Sequence, residues 1–397
     1  MYNYNGLMGK RTGQITYGRA RNSAKPGKIE WKEERNVIIV KKRFTRIVAC
    51  IALTAMVVSL AACGSKDKPS TSGGTSGTTS SDKANFKPVE WRMSNQHPEG
   101  SIADTADKEM IEEIREATEG RVNITLYNNN QLGDYLSVFD EVMVGSVQVH
   151  HGSTNEGYDS RVLGPFLPYL ATGYDTLPAV YSPDGYLFKT LHDDVYTKLG
   201  MELMGFFCEG FDGVGTKKPV TDAAVVGADK GVLIRVPAME TFNQCNLMLG
   251  FRTTSIPYSD TYTGIQTGLA DGASGVPANL FYLNFRDVIK YFYDYQQVQE
   301  ATSILINKAA FDSLLPEDQE AIRTIIQNKC AESYKLAQDD EAKYKQMLRD
   351  EGIEVVEFTD EERQAFADAC HEQVWPKLAE TFTQEFLDGV LASAKAN

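Results

Sequence analysis

A regular alternation of short strands and amphipathic helices begins at residue 89 and constrains the fold more than any other feature. Residues 103–118 repeat apolar side chains at three- and four-residue spacing, which is typical of a helix with one buried face. Residues 122–127 alternate apolar and polar side chains, as a half-buried strand does. With strands at 89–93 and 147–150 and a helix at 136–144, the order is β-α-β-α-β. This order predicts a parallel sheet and an α/β fold.

The centre and the C-terminal part of the chain extend this pattern. A strand at 231–236 ends at Pro237, a helix follows to about residue 249, and a second helix is predicted at 259–269. Beyond residue 308 the chain is mostly helical; Pro316 suits a helix start, and Thr359 opens a capping-box pattern. At 397 residues the chain exceeds the usual size of one core, so two lobes are expected.

The N-terminal segment has the features of an export signal. A basic run at 41–46 precedes an apolar run at 47–60 that is too short to span a bilayer, and Leu60-Ala61-Ala62-Cys63 follows. This order resembles the bacterial lipobox, in which the cysteine thiol receives a diacylglycerol. The sequence therefore predicts a lipoprotein signal peptide at 37–62, lipidation at Cys63 and an extracytoplasmic protein anchored to the cell membrane.

Two flanking segments are not expected to belong to the fold. Residues 1–36 fit no signal peptide, and we interpret them as an upstream extension from a start site assigned too early, with translation beginning near Val37. Mapping the translation start tests this. Residues 63–85 are rich in Ser, Thr and Gly, a composition typical of a flexible tether.

The charge distribution limits the partners. The chain has 40 basic and 54 acidic residues; residues 1–63 hold 12 and 3 of these, which leaves 28 and 51 for the remainder. Nucleic acid is not expected as a partner of so acidic a body, because phosphate binding needs clustered positive charge. One local arginine is still enough to attract an anionic ligand into a cleft.

Three blocks of sequence resemble the solute-binding proteins of tripartite ATP-independent periplasmic (TRAP) transporters, dicarboxylate-binding type. The first is Leu-Tyr at 126–127 with Gln-Leu-Gly-Asp at 131–134. The second is Gly-Val-Leu-Ile-Arg-Val-Pro at 231–237, with Leu233 where the family has a lysine. The third runs from Pro257-Tyr258-Ser259-Asp260 to Asp271-Gly272. The likeness extends from about residue 88 to near the C-terminus.

The resemblance implies a two-lobed α/β fold, like that of periplasmic binding proteins, with a ligand cleft between the lobes and a long bridging helix. It implies lobe I at 86–210 and 300–338, and lobe II at 211–299 and 339–397. It also implies capture of a small organic acid and its delivery to the small and large membrane subunits of a TRAP transporter. The protein is then a binding protein and not an enzyme, requires no cofactor, and is expected to be a monomer.

The resemblance assigns the main ligand contact to Arg235, which aligns with the family arginine that grips the ligand carboxylate. A guanidinium suits this role because its planar fork donates two parallel hydrogen bonds and keeps its charge when desolvated. The alternative is an arginine paired with a local acid at a strand end. Tyr258 matches the family's cleft aromatic, with an ordinary core aromatic as the alternative. Asp271 is interpreted as structural.

Two departures from the family pattern bear on the ligand. Asp212 lies where many members have a second arginine, and Ser274-Gly275 replaces an acid-Asn pair. We therefore expect a monocarboxylate bearing an amino or hydroxyl group that Asp212 holds, rather than a simple dicarboxylate. A buried Asp212 needs a partner, which can be the ligand, Arg235, or Lys217 and Lys218.

Polar residues after two strands of the first lobe are further ligand candidates. Asn95 and Gln96 follow the first strand, and Ser153 and Asn155 follow the third. Ligands of parallel α/β sheets bind outside the carboxyl ends of the strands. Any one of these side chains can equally be an ordinary polar loop residue.

Other chemistry finds little support in the sequence. His150 and His151 are adjacent on a strand and point to opposite faces, a poor metal pair, and no metal site is predicted. Cys208, Cys245, Cys330 and Cys370 form no CxxC motif and are interpreted as buried free thiols. Two alternative functions remain open: a ligand-sensing partner of a membrane receptor, and a lipid-anchored hydrolase, although no G-x-S-x-G motif occurs.

Overall fold

The computed structural model describes residues 86–394, and the β-α-β-α-β order predicted from the sequence is confirmed there. The first strand pairs in parallel with the second and the third. Ser101 caps the first helix by accepting a hydrogen bond from the Asp104 N–H. The predicted signal peptide, Cys63 and the tether lie outside the described residues. The first elements are β1 (Val89–Asn95), α1 (Ile102–Ala117), β2 (Val122–Tyr127), α2 (Tyr135–Met143) and β3 (Val149–Gly152).

A long, fully buried strand, β4 (Met201–Thr216), joins two groups of strands. In one group it pairs in an antiparallel manner with β9 (Gln299–Asn307), and β9 in turn pairs with β3. In the other group it pairs with β7 (Gly272–Pro277) and β8 (Tyr291–Asp294). Within residues 86–394, hydrogen-bonded neighbours in the sheet follow the order β2-β1-β3-β9-β4-β7, and two more strands continue from β7. The two lobes therefore share the central strand β4.

The second lobe repeats the parallel arrangement. β5 (Leu233–Val236) lies between β7 and β6 (Arg252–Ser255) and runs parallel to both. The helix α5 (Glu240–Leu249) makes the crossover and ends at Gly250, whose φ of 100° is readily adopted only by glycine. The helix predicted at 259–269 is shorter: a single 3₁₀ turn precedes α6 (Thr261–Thr267).

A 35-residue helix, α9 (Pro316–Asp350), bridges the two lobes. Ile322, Ile326 and Cys330 on its first half pack into the apolar core under β1 and β3, which includes Met93. Tyr344 and Leu348 on its second half pack into the core beside β7 and β8. At 1.5 Å per residue the helix is about 52 Å long, enough to reach across both lobes. The predicted two-lobed class with a bridging helix is confirmed.

The predicted lobe boundaries stay a prediction. The boundary predicted between residues 210 and 211 falls inside β4, and the one between residues 299 and 300 falls at the start of β9. The capping box at Thr359 is confirmed, with both of its hydrogen bonds formed. No helix in the described part of the chain is long and apolar enough to cross a membrane. The remaining elements are α3 (Leu177–Tyr181), α4 (Tyr186–Leu191), α7 (Ala278–Leu280), α8 (Lys308–Asp312), β10 (Glu354–Glu357), α10 (Asp360–Gln373), α11 (Trp375–Phe382) and α12 (Gln384–Ala394).

Candidate functional site

Arg235 lies near the carboxyl end of β5 and is only 1% exposed. Its Nε donates a hydrogen bond to the Ile256 carbonyl at 2.9 Å, and its Nη1 donates to the Ser274 carbonyl at 3.3 Å. The guanidinium also lies over the ring of Tyr258, 5.7 Å from its centroid. These contacts fix the orientation of the side chain and use two of its five N–H donors, so the others are left for a ligand.

The alternative of an arginine paired with a local acid does not fit this geometry. Within residues 86–394, no carboxylate forms an ion pair with Arg235, and both of its hydrogen bonds go to backbone carbonyls. Burial lowers the pKa of the guanidinium, while Tyr135, Tyr258 and Glu300 nearby act to raise it. Because arginine stays protonated in proteins, the group is a desolvated positive charge without a paired anion.

A small cavity lies directly in front of Arg235, with a volume of about 20 Å³. That volume is close to the room of one water molecule, so the walls are nearly in contact. Gln96 and Ser153 also line it and are joined to each other by two hydrogen bonds of 3.1 and 2.9 Å. Its lining consists of Gln96, Tyr135, Ser153, Phe166, Arg235, Pro237, Met239, Phe242, Tyr258, Gly275, Leu280 and Glu300.

Four of the residues predicted from the sequence therefore come together at one cavity. Arg235 and Tyr258 come from the second lobe, while Gln96 and Ser153 follow β1 and β3 of the first. The first-lobe residues lie at the carboxyl ends of parallel strands, as the general rule for such sheets requires. The arrangement places a cationic fork, hydrogen-bonding groups and aromatic walls around one buried space.

Three other predicted residues do not line this cavity. Asn95 donates to Asp107 and accepts from the His97 N–H, and Asn155 accepts from the Gly157 N–H at 3.0 Å. Ser274 supports Arg235 from outside the cavity: its carbonyl accepts a hydrogen bond from Arg235, and its hydroxyl accepts one from Asn246. A direct ligand contact by these three residues stays a prediction.

Asp212 is fully buried on β4 and also lies outside the cavity lining. Neither of its carboxylate oxygens has a hydrogen-bond partner among the described residues. The candidate lysines are engaged elsewhere: Lys218 pairs with Asp271 at 2.7 Å, and Lys217 donates to the Ile265 carbonyl. Burial raises the pKa of the Asp212 carboxyl well above its usual range, and Glu300 adds to the rise.

Asp271 has the structural contacts that the sequence interpretation implies. Besides its ion pair with Lys218, it accepts a hydrogen bond from the Leu233 N–H at the start of β5. The following Gly272 lies so close to β4 that an added Cβ would be 2.1 Å from the Gly215 carbonyl oxygen. The Asp-Gly pair therefore ties β7 to its two neighbouring strands.

Glu300 is a cavity residue that the sequence analysis missed. It is 6% exposed and lines the same cavity as Arg235, and its carboxylate accepts no hydrogen bond and forms no ion pair among residues 86–394. Burial raises the pKa of its carboxyl well above the usual range; Glu209 adds to this and Arg235 opposes it. The sequence offered one signal that could have found it, because Glu300 is the one charged residue in the strand β9.

A β-bulge brings Glu209 next to Glu300. On β4, Cys208 pairs with Ala301 and Phe211 pairs with Gln299, so two residues of β4 oppose Glu300 alone. One of the two is Gly210, with a φ of 127°. Bulges of this kind re-aim side chains beside functional sites. This bulge is the local reason that carboxylates from two distant segments lie together.

Glu209 is buried behind the cavity wall and joins a polar network. Its Oε1 accepts a hydrogen bond from the Thr302 hydroxyl at 3.0 Å, and its Oε2 lies 2.9 Å from Nδ1 of His97. Burial raises the pKa of the carboxyl to about 8, although the nearby His151 acts to lower it. Glu209, Asp212 and Glu300 thus form a buried acidic cluster beside a single guanidinium.

No group of three or more His, Cys, Asp or Glu side chains in the described part of the chain is arranged to hold a metal ion. The four cysteines at 208, 245, 330 and 370 are buried thiols.

Comparison with known proteins places this geometry in a family. The family model described as bacterial extracellular solute-binding protein, family 7, matches residues 93–381. The chain is 26% identical over 278 residues to the 2,3-diketo-L-gulonate-binding periplasmic protein YiaO of Escherichia coli, covering 68% of this chain and 80% of that protein. It is 26% identical to the C4-dicarboxylate-binding periplasmic protein DctP of Rhodobacter capsulatus, covering 71% and 84%.

The fold also matches a solved structure. The sugar acid binding protein DctPAm of Advenella mimigardefordensis, in complex with galactonate, superposes with a TM-score of 0.71 at 20% identity. The match covers 79% of this chain and 99% of that one.

Proposed function

Because this chain belongs to family 7 of the bacterial extracellular solute-binding proteins, we propose that it captures a small organic acid outside the cytoplasm and delivers it to a TRAP transporter. Members of this family are solute-binding proteins for transport and not enzymes. The relatives named above bind a sugar-derived keto acid, C4-dicarboxylates and galactonate, all of them carboxylates.

One observation carries the proposal: Arg235 is a buried guanidinium facing a cavity, and no carboxylate of residues 86–394 pairs with it. A desolvated positive charge is costly unless an anion compensates it. A ligand carboxylate meets this need with two parallel, charge-assisted hydrogen bonds. The aromatic side chains of the lining, Tyr258 among them, then cover the carbon skeleton.

The size of the cavity implies that the lobes move. A space of about 20 Å³ holds roughly one water molecule, so an acid of several carbon atoms enters only when the walls separate. Gln96 and Ser153 belong to one lobe and Arg235 to the other, so closure brings the two halves of the site together around the ligand. Such closure excludes water and strengthens the electrostatic contacts inside.

Attachment to the membrane and the transport partners complete the proposal. The lipobox-like sequence before Cys63 supports a lipid anchor there, and residues 63–85 would then hold the binding domain away from the bilayer. A Cys63→Ser variant is expected to appear in the soluble extracytoplasmic fraction, whereas the parent protein stays with the membrane. Family membership supports the small and large TRAP membrane subunits as partners.

Ligand binding is tested with the refolded, ligand-free protein and a panel of succinate, malate, pyruvate, lactate, galactonate and amino acids. Melting-temperature shifts identify the acids that bind, and calorimetry gives their affinities. For an acid that binds, Arg235→Met is expected to weaken binding by roughly 30-fold or more, since it removes a buried charged contact. Arg235→Lys keeps the charge but loses the fork, and is expected to weaken binding less.

Arg252→Lys is the matched control, because Arg252 is an exposed arginine on the neighbouring strand β6. It is expected to bind like the parent protein. If no acid in the panel binds, or if Arg235→Met binds the same acid with unchanged affinity while remaining folded, the proposed function is wrong.

A further inference from the structure

A guanidinium and a carboxyl group, those of Arg235 and Glu300, line the same cavity without pairing with each other. Arg235 donates its hydrogen bonds to backbone carbonyls, and the Glu300 carboxylate has no ion-pair or hydrogen-bond partner among residues 86–394. Both side chains are more than nine-tenths buried, and both line the space. A buried polar group without a partner costs free energy, so an occupant that satisfies both groups is favoured.

The electrostatic surroundings of the two groups differ. Asp212 and Glu209 lie on the Glu300 side, and burial raises the pKa values of all three carboxyls, which disfavours their ionised forms when no cation is near. A ligand carboxylate alone would compensate Arg235 but leave Glu300 without a partner, whereas a cationic group beside Glu300 would favour its ionised form. Among residues 86–394, Arg235 is the single cationic side chain in the lining, and the Glu300 end has none.

We propose that the ligand is a zwitterion, an acid whose carboxylate binds Arg235 and whose positively charged nitrogen binds Glu300. The proposal rests on the proposed function and narrows its substrate class to amino acids and related acids carrying a cationic nitrogen. Glu300, rather than Asp212, makes the direct contact, because Glu300 lines the cavity and Asp212 lies behind it.

The same groups disfavour dicarboxylates. A second carboxylate at the Glu300 end would find no cationic side chain in the described lining and would make ionisation of Glu300 still less favourable in a desolvated space. A hydroxy acid would give Glu300 a hydrogen bond but no counter-charge. The aromatic side chains in the lining, Tyr135, Phe166, Phe242 and Tyr258, add faces that attract a cation.

Matched probes that differ at one end test the proposal. The first series is 4-aminobutyrate, 4-hydroxybutyrate and succinate; the second is alanine, lactate and propionate, followed by the remaining proteinogenic amino acids and glycine betaine. Binding to the ligand-free protein is measured by melting-temperature shift and by calorimetry. At least one zwitterion is expected to bind, and at least 30-fold more tightly than its hydroxyl, carboxylate and unsubstituted counterparts.

Glu300→Gln then tests the contact itself. It keeps the size and shape of the side chain and removes its charge, so it is expected to weaken zwitterion binding by roughly 30-fold or more. The ratio between the affinities for the zwitterion and for the matching hydroxy acid is expected to fall. Glu354→Gln, at an exposed glutamate on β10, is the control and is expected to bind like the parent protein. Melting temperatures of the ligand-free variants show that both remain folded.

Failure of this inference is distinguishable from failure of the proposed function. If only acids without a cationic nitrogen bind, and Arg235→Met abolishes that binding, the proposed function stands and the zwitterion is wrong. If a zwitterion binds but Glu300→Gln leaves its affinity unchanged, the assignment of Glu300 is wrong. If no acid binds in a manner that depends on Arg235, both are wrong.

Discussion

Replacing Glu209 with glutamine should change how the stability of the ligand-free protein depends on pH. Glu209 is buried on β4, and burial raises the pKa of its carboxyl from the ordinary 4.5 to about 8. The folded state therefore keeps the proton over a pH range in which the unfolded chain has lost it. The contribution of this group to stability is fully present below pH 4.5 and is lost as the pH rises through about 8.

The magnitude follows from these two values. The difference between 8 and 4.5, at about 1.4 kcal/mol per pH unit, corresponds to about 5 kcal/mol of unfolding free energy lost between acidic and mildly alkaline pH. Glutamine cannot ionise, and its side-chain carbonyl can still accept the hydrogen bond from Thr302. Glu209→Gln should therefore match the parent protein near pH 4.5 and exceed its stability by up to about 5 kcal/mol at pH 8.5.

The measurement is urea unfolding of refolded, ligand-free protein at several values between pH 4.5 and 8.5, followed by circular dichroism. Glu385→Gln, an exposed glutamate in the first turn of α12, serves as the control and should follow the pH profile of the parent protein. The reasoning is refuted if the stability difference between Glu209→Gln and the parent protein is the same at both ends of the pH range.

Two further predictions concern the fold. Arg121 donates to both carboxylate oxygens of Asp318 at 2.9 and 2.8 Å in a nearly buried pair, so Arg121→Ala should lower the unfolding free energy by about 3–5 kcal/mol. Arg115→Ala breaks an exposed pair and should cost no more than about 1 kcal/mol in the same urea titration; equal losses would contradict this. Gly272→Ala would place a Cβ 2.1 Å from the Gly215 carbonyl oxygen and should lower the unfolding free energy by about 1–3 kcal/mol. Thermal melting measures this loss, and an unchanged melting temperature would contradict the close approach of the two strands.

Local sequence patterns predicted the elements that depend on local forces. The apolar spacing along α1, the Pro237 that ends β5 and the capping box at Thr359 all act within a few residues, and the structure has each of them. The helix predicted at 259–269 came out as a 3₁₀ turn followed by α6, since its boundaries depend on packing as well as on periodicity.

In the candidate site, too, the sequence predicted some features and left others to the packing of the fold. Arg235 and Tyr258 stand in recognisable blocks, and Gln96 and Ser153 follow predicted parallel strands, so the sequence was enough to place these four residues at a common cleft. It also indicated that Asp212 would need a partner. It gave no means of deciding whether Asp212 reaches the ligand, because that depends on which side of β4 meets the cavity.

The sequence by itself determined the α/β class and the succession of strands and helices in the first lobe, because periodicity, capping and strand ends depend on neighbouring residues. The family resemblance, and not these patterns, singled out Arg235 as the candidate ligand contact. Only the tertiary structure decided that Glu300 faces the same cavity as Arg235. That placement requires β4 and β9 to pair in one register, with a bulge at Glu209 and Gly210. Register between strands so far apart in the chain is set by the packing of the whole sheet, and no local pattern in either strand specifies it.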